Sequence, residues 1–211
     1  KGIPVLHQPE EASIITGYVN NGASFLRIPT ESVTGDVQPL DRITWGVDIF
    51  TKRAKRRGDQ ELVIEALQRA VALADADSSG HYFSGFKAYD TWIGWLRDPE
   101  RSKTLNFVGN GWIYCCLKSA RLAAASYLDD AAHAFTGSTA QQLESAANAY
   151  RAISDKMVTP CDVAPGPWKI QESEWTQEMR NKEAQILTEV RDRERAAVDE
   201  LRKVVATLVR T

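Results

Sequence analysis

The sequence predicts an α+β protein that is mostly α-helical, with a small antiparallel sheet over residues 1–50 and a helical bundle over residues 51–211. The first 50 residues alternate short apolar runs with turn residues, which is typical of strands. Beyond them, apolar residues recur every three or four positions, which is the spacing of amphipathic helices. A chain of 211 residues is long enough to bury a core without disulfide or metal support.

Four strands are predicted in the first 50 residues, from runs rich in β-branched and aromatic residues. These runs are IPVLH, ASIITGYV, ASFLRIP and ITWGVDIF. Asn20-Asn21-Gly22 separates the second run from the third, and these residue types tolerate positive φ angles. We therefore expect a hairpin turn there. So small a sheet needs helices on one face to be stable.

Five helices are predicted, over residues 59–79, 85–98, 111–135, 138–157 and 172–209. Ser84 and either Ser138 or Thr139 are the expected caps of the second and fourth helices. The fifth pattern predicts one long helix or two in series, and its charge-dense face is interpreted as a solvated surface. The segment VTPCDVAPGPW before it is rich in proline and predicts a loop. Short connections favour an up-and-down bundle.

Two adjacent cysteines head the third helix. An advance of about 100° per residue places Cys116 on the same face as Trp112, Ala120, Ala123 and Tyr127, which predicts a core position. Cys115 then lies at the boundary between the apolar and charged faces. A nucleophilic cysteine needs a nearby base, and none of the three histidines lies at a useful helical spacing from the pair. Packing is the favoured interpretation, and no metal site is predicted.

Composition narrows the function classes. The formal net charge is −2 and the pI is about 6.0, so nothing points to nucleic acid, and the basic run Lys52–Arg57 is interpreted as solvated surface. No apolar run approaches the length of a membrane span, so no membrane association is predicted. Three cysteines make no disulfide framework, which predicts reduced thiols and a cytoplasmic location. No cofactor is predicted.

Surplus aromatic residues suggest a ligand site. The cluster between Tyr82 and Trp95 covers more than one helical face, so some of its rings are available to a ligand or partner. Helix capping is the plainer interpretation of Asn110. We place a binding site for a small molecule or peptide where sheet and bundle meet. The candidate residues are Trp45, Tyr89, Asn110, Tyr114 and Arg121.

Several motifs, taken in order, carry a family resemblance. GIPVL, PEEASIITGYVNNGASFL, ITWGVDIF, GFKAYDTWIGWLRDP, NGWIYCCLKSARLAAASYL and AYRAI resemble the later half of bacterial proteins related to the butirosin-biosynthesis acyltransferase H, and more distantly papain-like bacteriocin-processing cysteine peptidases. The resemblance implies a partial papain-like sheet. In that family a His opens the strand matching ASIITGY, and an Asp follows near the end of the next strand. Here Glu11-Ala12-Ser13 and Ile28 stand at those places, so the resemblance implies no catalytic residue in this chain.

Three functions remain open. The first is a noncatalytic or degenerate cysteine-peptidase-like protein that binds a small molecule or peptide. The second is a cysteine-dependent acyltransferase or amide hydrolase whose nucleophile lies in a missing N-terminal part, since the chain begins with Lys1 and runs at once into a strand-like segment. The third is a structural bundle that binds a partner. A missing N-terminal segment or a second copy is a candidate partner, and whether the protein is an enzyme stays open.

Overall fold

A computed structural model describes residues 5–7, 13–29, 35–42, 46–49, 57–157 and 160–209. The chain forms two compact units, Lys1–Arg56 and Arg57–Thr211. The first unit carries a small sheet and the second carries the helices. The α+β, mostly α class that the sequence predicts is therefore confirmed.

The first unit contains a five-stranded antiparallel sheet. Its strands are β1 (Val5–His7), β2 (Ser13–Val19), β3 (Ser24–Pro29), β4 (Gln38–Leu40) and β5 (Val47–Ile49), in the order β4-β3-β2-β1-β5. β4 was not predicted, because Gln-Pro-Leu carries no alternating apolar pattern. It lies at the edge of the sheet, where the proline needs to donate no ladder hydrogen bond.

The turn between β2 and β3 confirms the predicted hairpin. Asn20 and Asn21 have φ angles of 54° and 53°, and Gly22 follows at 89°. These left-handed conformations are ones that asparagine and glycine adopt at low cost. The turn sets the register next to it, in which Val19 pairs with Ser24 and Tyr18 with Phe25. A register shift between Ile15 and Gly17 then pairs Ile14 with Ile28.

The described residues of the second unit form six α-helices, two short 3-10 helices (Arg101–Thr104 and Glu172–Glu174) and a short hairpin. The α-helices are α1 (Asp59–Asp75), α2 (Gly85–Arg97), α3 (Phe107–Ala132), α4 (Gly137–Lys156), α5 (Pro160–Val163) and α6 (Gln177–Leu208). Strands β6 (Ser78–Ser79) and β7 (Tyr82–Phe83) form a two-stranded hairpin between α1 and α2. The predicted loop after α4 is wrong in part, because Pro160 begins the short helix α5; proline suits the first turn of a helix, which needs no N–H from it.

Helix α6 organises the bundle. It is one continuous helix of 32 residues, about 48 Å long at 1.5 Å per residue, and it contacts α1, α2, α4 and α5. It runs antiparallel to α2, as shown by Arg97 bonding to Thr188 while Asp90 pairs with Arg191. No helix in the described ranges is both long enough and apolar enough to cross a membrane.

The apolar sides of α4 and α2 are buried. Six residues along α4 and at its C-terminal end are at most 7% exposed: Leu143, Ala146, Ala147, Tyr150, Ile153 and Met157. In α2, Tyr89, Ile93 and Leu96 are buried and Phe86 is partly buried against the core. Both helices have one apolar stripe and one polar side, so their periodicity determines which side is buried.

Helix α3 begins four residues earlier than predicted. Asn106 caps it, since its side-chain Oδ1 accepts a hydrogen bond from the Gly109 backbone N–H at 2.7 Å. The interpretation of Asn110 as the cap is therefore wrong. Asn110 lies inside the helix and is buried.

The predicted core face of α3 is also wrong. Cys116 is exposed, as are Trp112 at 60%, Tyr127 at 43% and Ala120. The buried face instead holds Asn110, Gly111, Tyr114, Ala125, Leu128, Ala131 and Ala132. Cys115 is half-buried, which fits its predicted boundary position.

Candidate functional site

The helical unit contains a cleft of about 520 Å³ between α1, α2, α3, α4 and α6. Its walls are mostly apolar, with the larger side chains supplied by Leu73, Phe83, Phe86, Trp92, Ile113, Leu117 and Val198. Four polar side chains with titratable groups also line it: Tyr89, Arg121, Tyr150 and Glu194. An apolar cleft with a few convergent polar groups is the usual form of a small-molecule site.

Three helices each supply one member of a buried polar cluster in this cleft. Arg121 of α3 holds the Glu194 carboxylate of α6 in a bidentate pair, with Nε–Oε2 and Nη2–Oε1 distances of 2.8 Å each. The Tyr89 hydroxyl of α2 donates to Glu194 Oε2 at 2.7 Å. The Arg121 and Glu194 side chains are 22% and 9% exposed, so the pair lies largely out of water. Paired geometry of this kind compensates for burying the two charges.

Burial and the neighbouring charges fix the protonation states in this cluster. Burial raises the pKa of Tyr89 well above its usual range, and the guanidinium of Arg121 only partly opposes that rise. Burial tends to lower the pKa of Arg121, but Tyr89 and Glu194 outweigh it and the net shift is upward. Burial, reinforced by Glu194, raises the pKa of Tyr150 to about 12. At neutral pH Arg121 is therefore cationic, and the phenols of Tyr89 and Tyr150 are neutral.

A second polar cluster lies deeper in the bundle. The Asn110 amide Nδ2 donates to both oxygens of Glu183, at 3.0 and 3.1 Å, while Asn110 Oδ1 accepts from the Trp92 indole Nε1 at 2.8 Å. Tyr114 packs edge-on against Trp92, with ring centroids 6.4 Å apart. Trp92 also lines the cleft, so one side chain of the second cluster reaches the cavity.

Glu183 is the most unusual ionisable group of the second cluster. Its side chain is completely buried, and the Asn110 amide is its only hydrogen-bond donor within the described residues. Burial raises the pKa of Glu183 to about 8, although the Asn110 hydrogen bond acts in the opposite direction. The Tyr114 hydroxyl is buried too and has no hydrogen-bond partner in the part of the chain described. Burial, and then the charge of Glu183, raise the pKa of Tyr114 above its usual range.

The candidate residues from the sequence separate into three groups. Tyr89 and Arg121 meet in the cleft, hydrogen-bonded to the same carboxylate. Asn110 and Tyr114 belong to the second cluster and do not line the cleft. Trp45 lies outside the described residues, as do positions 52–56 of the basic run.

The two carboxylates were missed by the sequence analysis. The sequence analysis singles out neither Glu183 nor Glu194, because charged residues are rarely buried and the charge-dense face of the last helix is interpreted as solvated surface. Their spacing nevertheless indicates that both lie on the buried side of the helix. Glu183, Leu187, Val190, Glu194 and Ala197 follow one another at intervals of four and three residues, which places both carboxylates on the apolar stripe.

Cys115 and Cys116 are not among the residues that line the cleft, and Cys116 is exposed. His81 and His133 are exposed as well, and neither lines the cavity. Within the described ranges, no group of three or more His, Cys, Asp or Glu side chains is arranged to hold a metal ion. The cleft therefore offers hydrogen bonds and apolar contacts to a bound molecule.

Comparison of the chain with protein-family models, curated proteins and solved structures gave no match.

Proposed function

We propose that the protein is a noncatalytic binding protein that takes a small apolar molecule or an apolar peptide segment into the cleft of its helical unit. The observation that carries the proposal is the pairing of a 520 Å³ apolar cleft with the buried Tyr89–Arg121–Glu194 cluster. The volume falls within the range of about 300–1,000 Å³ that is common for small-molecule sites.

A binding role is supported by what the polar cluster does. A general acid or base must reach a reacting atom and exchange a proton at working pH. Here the carboxylate of Glu194 is held by two partners and the cation of Arg121 is held by the carboxylate. Such groups orient a bound molecule more readily than they transform it. The relationship to papain-like cysteine peptidases stays a hypothesis about the origin of the chain and contributes nothing to this proposal.

The proposal is tested with N-phenyl-1-naphthylamine, an uncharged apolar dye whose fluorescence rises in an apolar environment. The wild-type protein is expected to enhance the dye's fluorescence in a saturable way. Ala124 lines the cleft, so Ala124→Trp fills it and is expected to weaken dye binding at least about tenfold. Ala123→Trp is the matched control, because its neighbouring position on α3 is exposed and lies outside the cleft.

Circular dichroism and a thermal melt establish that both tryptophan variants are folded. If Ala124→Trp fails to fold, Ile113→Asp replaces it, because Ile113 lines the cleft yet is 55% exposed and tolerates a polar side chain better. Saturable dye binding that is equal in the wild type and in a folded cleft variant contradicts the proposal. The absence of saturable binding to the wild type contradicts it as well.

A further inference from the structure

We infer that the cleft selects ligands whose polar group is an uncharged amide with an acceptor and a donor side by side, attached to an apolar tail, and that it discriminates against carboxylates and amines. The inference rests on the proposed function and adds the chemical class of the ligand. Three properties of the cleft carry it: its balanced charge, its unused hydrogen-bonding groups and its apolar walls.

The charges that line the cleft cancel. Arg121 and Glu194 are the only charged side chains among the described residues around the cavity, and each neutralises the other at 2.8 Å. A ligand carboxylate beside Arg121 is repelled by Glu194, and a ligand ammonium beside Glu194 is repelled by Arg121. Because both side chains are largely removed from water, this repulsion is poorly screened. An uncharged polar group meets neither penalty.

The hydrogen-bonding capacity left in the cluster matches an amide. Arg121 uses Nε and Nη2, and no described residue bonds to its Nη1, which carries two N–H donors. Among the described residues Glu194 Oε1 accepts only from Arg121, which leaves it a lone pair. An amide carbonyl can accept from the guanidinium while the amide N–H donates to the carboxylate. Both charged groups then keep their existing partners.

A further hydroxyl extends this site. Tyr150 lines the cleft and is 7% exposed, and its hydroxyl has no hydrogen-bond partner among the described residues. A hydroxyl that faces the cleft without a protein partner favours a ligand that supplies one. The surrounding Phe86, Trp92 and Leu117 offer apolar contacts to a tail on the far side of the amide. The chemistry common to these features is an amide bearing an aliphatic or aromatic tail.

The test is a competition series against N-phenyl-1-naphthylamine, with ligands that share one tail and differ in the polar group. Decanamide, decanoate and decylamine are compared at neutral pH, below their critical micelle concentrations. We expect decanamide to displace the dye at a concentration about tenfold or more lower than the two charged ligands need. The capped dipeptide N-acetyl-leucyl-leucinamide is a further arm, because tighter competition by it than by decanamide identifies a peptide as the source of the amide.

Two perturbations test the charge argument itself. Glu194→Gln leaves the charge of Arg121 uncompensated, so decanoate is expected to displace the dye at a lower concentration than decanamide does. Glu200→Gln changes an exposed position on α6, and decanamide should remain the stronger competitor in that variant. Independently of any variant, lowering the pH to about 4 protonates much of the decanoate. The difference between the concentrations at which decanoate and decanamide displace the dye is then expected to become smaller. This second measurement stands if Glu194→Gln does not fold.

The outcomes separate the two proposals. Decanoate or decylamine competing as well as decanamide against wild-type protein overturns the amide inference, while the binding role survives through the Ala124→Trp result. If no ligand displaces a dye whose binding depends on Ala124, the amide inference fails. If the dye does not bind in the cleft at all, the binding role fails and the inference fails with it.

Discussion

The buried carboxyl of Glu183 makes the stability of the protein depend on pH in an unusual direction. Below about pH 4.5, its ordinary pKa, the group is protonated in both the folded and the unfolded state. Between that value and the folded-state pKa of about 8, the unfolded chain ionises while the folded protein keeps its proton. The free energy of unfolding contributed by this group therefore falls as pH rises through the window, and the loss is complete above it.

The magnitude follows from the width of the window. Each pH unit between 4.5 and 8 changes the unfolding equilibrium constant by about tenfold, which amounts to a total of about 5 kcal/mol. That is a large share of the 5–15 kcal/mol typical of a folded protein. Solvent screening weakens this effect little, because the Glu183 side chain is fully buried.

The assay is urea denaturation of the wild type and of Glu183→Gln between about pH 5 and 8.5. Glutamine keeps an acceptor for the Asn110 amide but has no proton to release. We therefore expect the free energy of unfolding of the variant to rise steadily relative to that of the wild type as pH rises. Glu144→Gln is the control, because Glu144 is exposed on α4 and has no hydrogen bond or ion pair among the described residues. Its stability difference from the wild type should stay constant.

A difference between Glu183→Gln and the wild type that stays flat within about 1 kcal/mol across this range refutes the reasoning. It means that the carboxyl is hydrated in the folded protein, or that it has a stronger partner than Asn110. A difference that grows in the opposite direction refutes it as well.

Three further predictions concern burial and exposure. Tyr89→Phe leaves a buried carboxylate with one partner fewer and should lower the free energy of unfolding by about 1–3 kcal/mol, measured by urea denaturation. Leu187→Ala should cost about 2–5 kcal/mol because Leu187 is fully buried, whereas Leu122→Ala, at a position 49% exposed, should cost markedly less in the same assay. Iodoacetamide should modify the exposed Cys116 before the half-buried Cys115, and mass spectrometry of digested protein checks the order.

Sequence periodicity is sufficient to identify the buried face of a helix that has one apolar side. The inner faces of α2 and α4 follow directly from their patterns, and Asn-Asn-Gly identified the β2–β3 turn. Strand β4 was missed because three residues around Pro39 give no alternation to detect. The hairpin of β6 and β7 has strands of only two residues, which is below the length at which a pattern exists.

Helix α3 shows where periodicity fails. It is rich in alanine and apolar residues on nearly every side, so hydrophobicity alone did not identify the correct buried face. The side of α3 that faces the bundle carries two polar residues, since Asn110 and Arg121 bond to carboxylates of α6. Those partners are 73 residues away in the sequence, and no local pattern connects them. The cleft could not be predicted for a similar reason, because its polar side chains come from four helices that are far apart in the sequence.

The two contacts between α3 and α6 align these helices along the bundle axis. Asn110 and Arg121 are eleven residues apart on α3, and their partners Glu183 and Glu194 are eleven residues apart on α6, so the two helices run parallel and match at two points about 16 Å apart. Leucine, valine and alanine packing alone would tolerate a slip of one helical turn. Such a slip would break both contacts and leave two buried carboxylates without these partners, so the paired contacts favour the observed alignment.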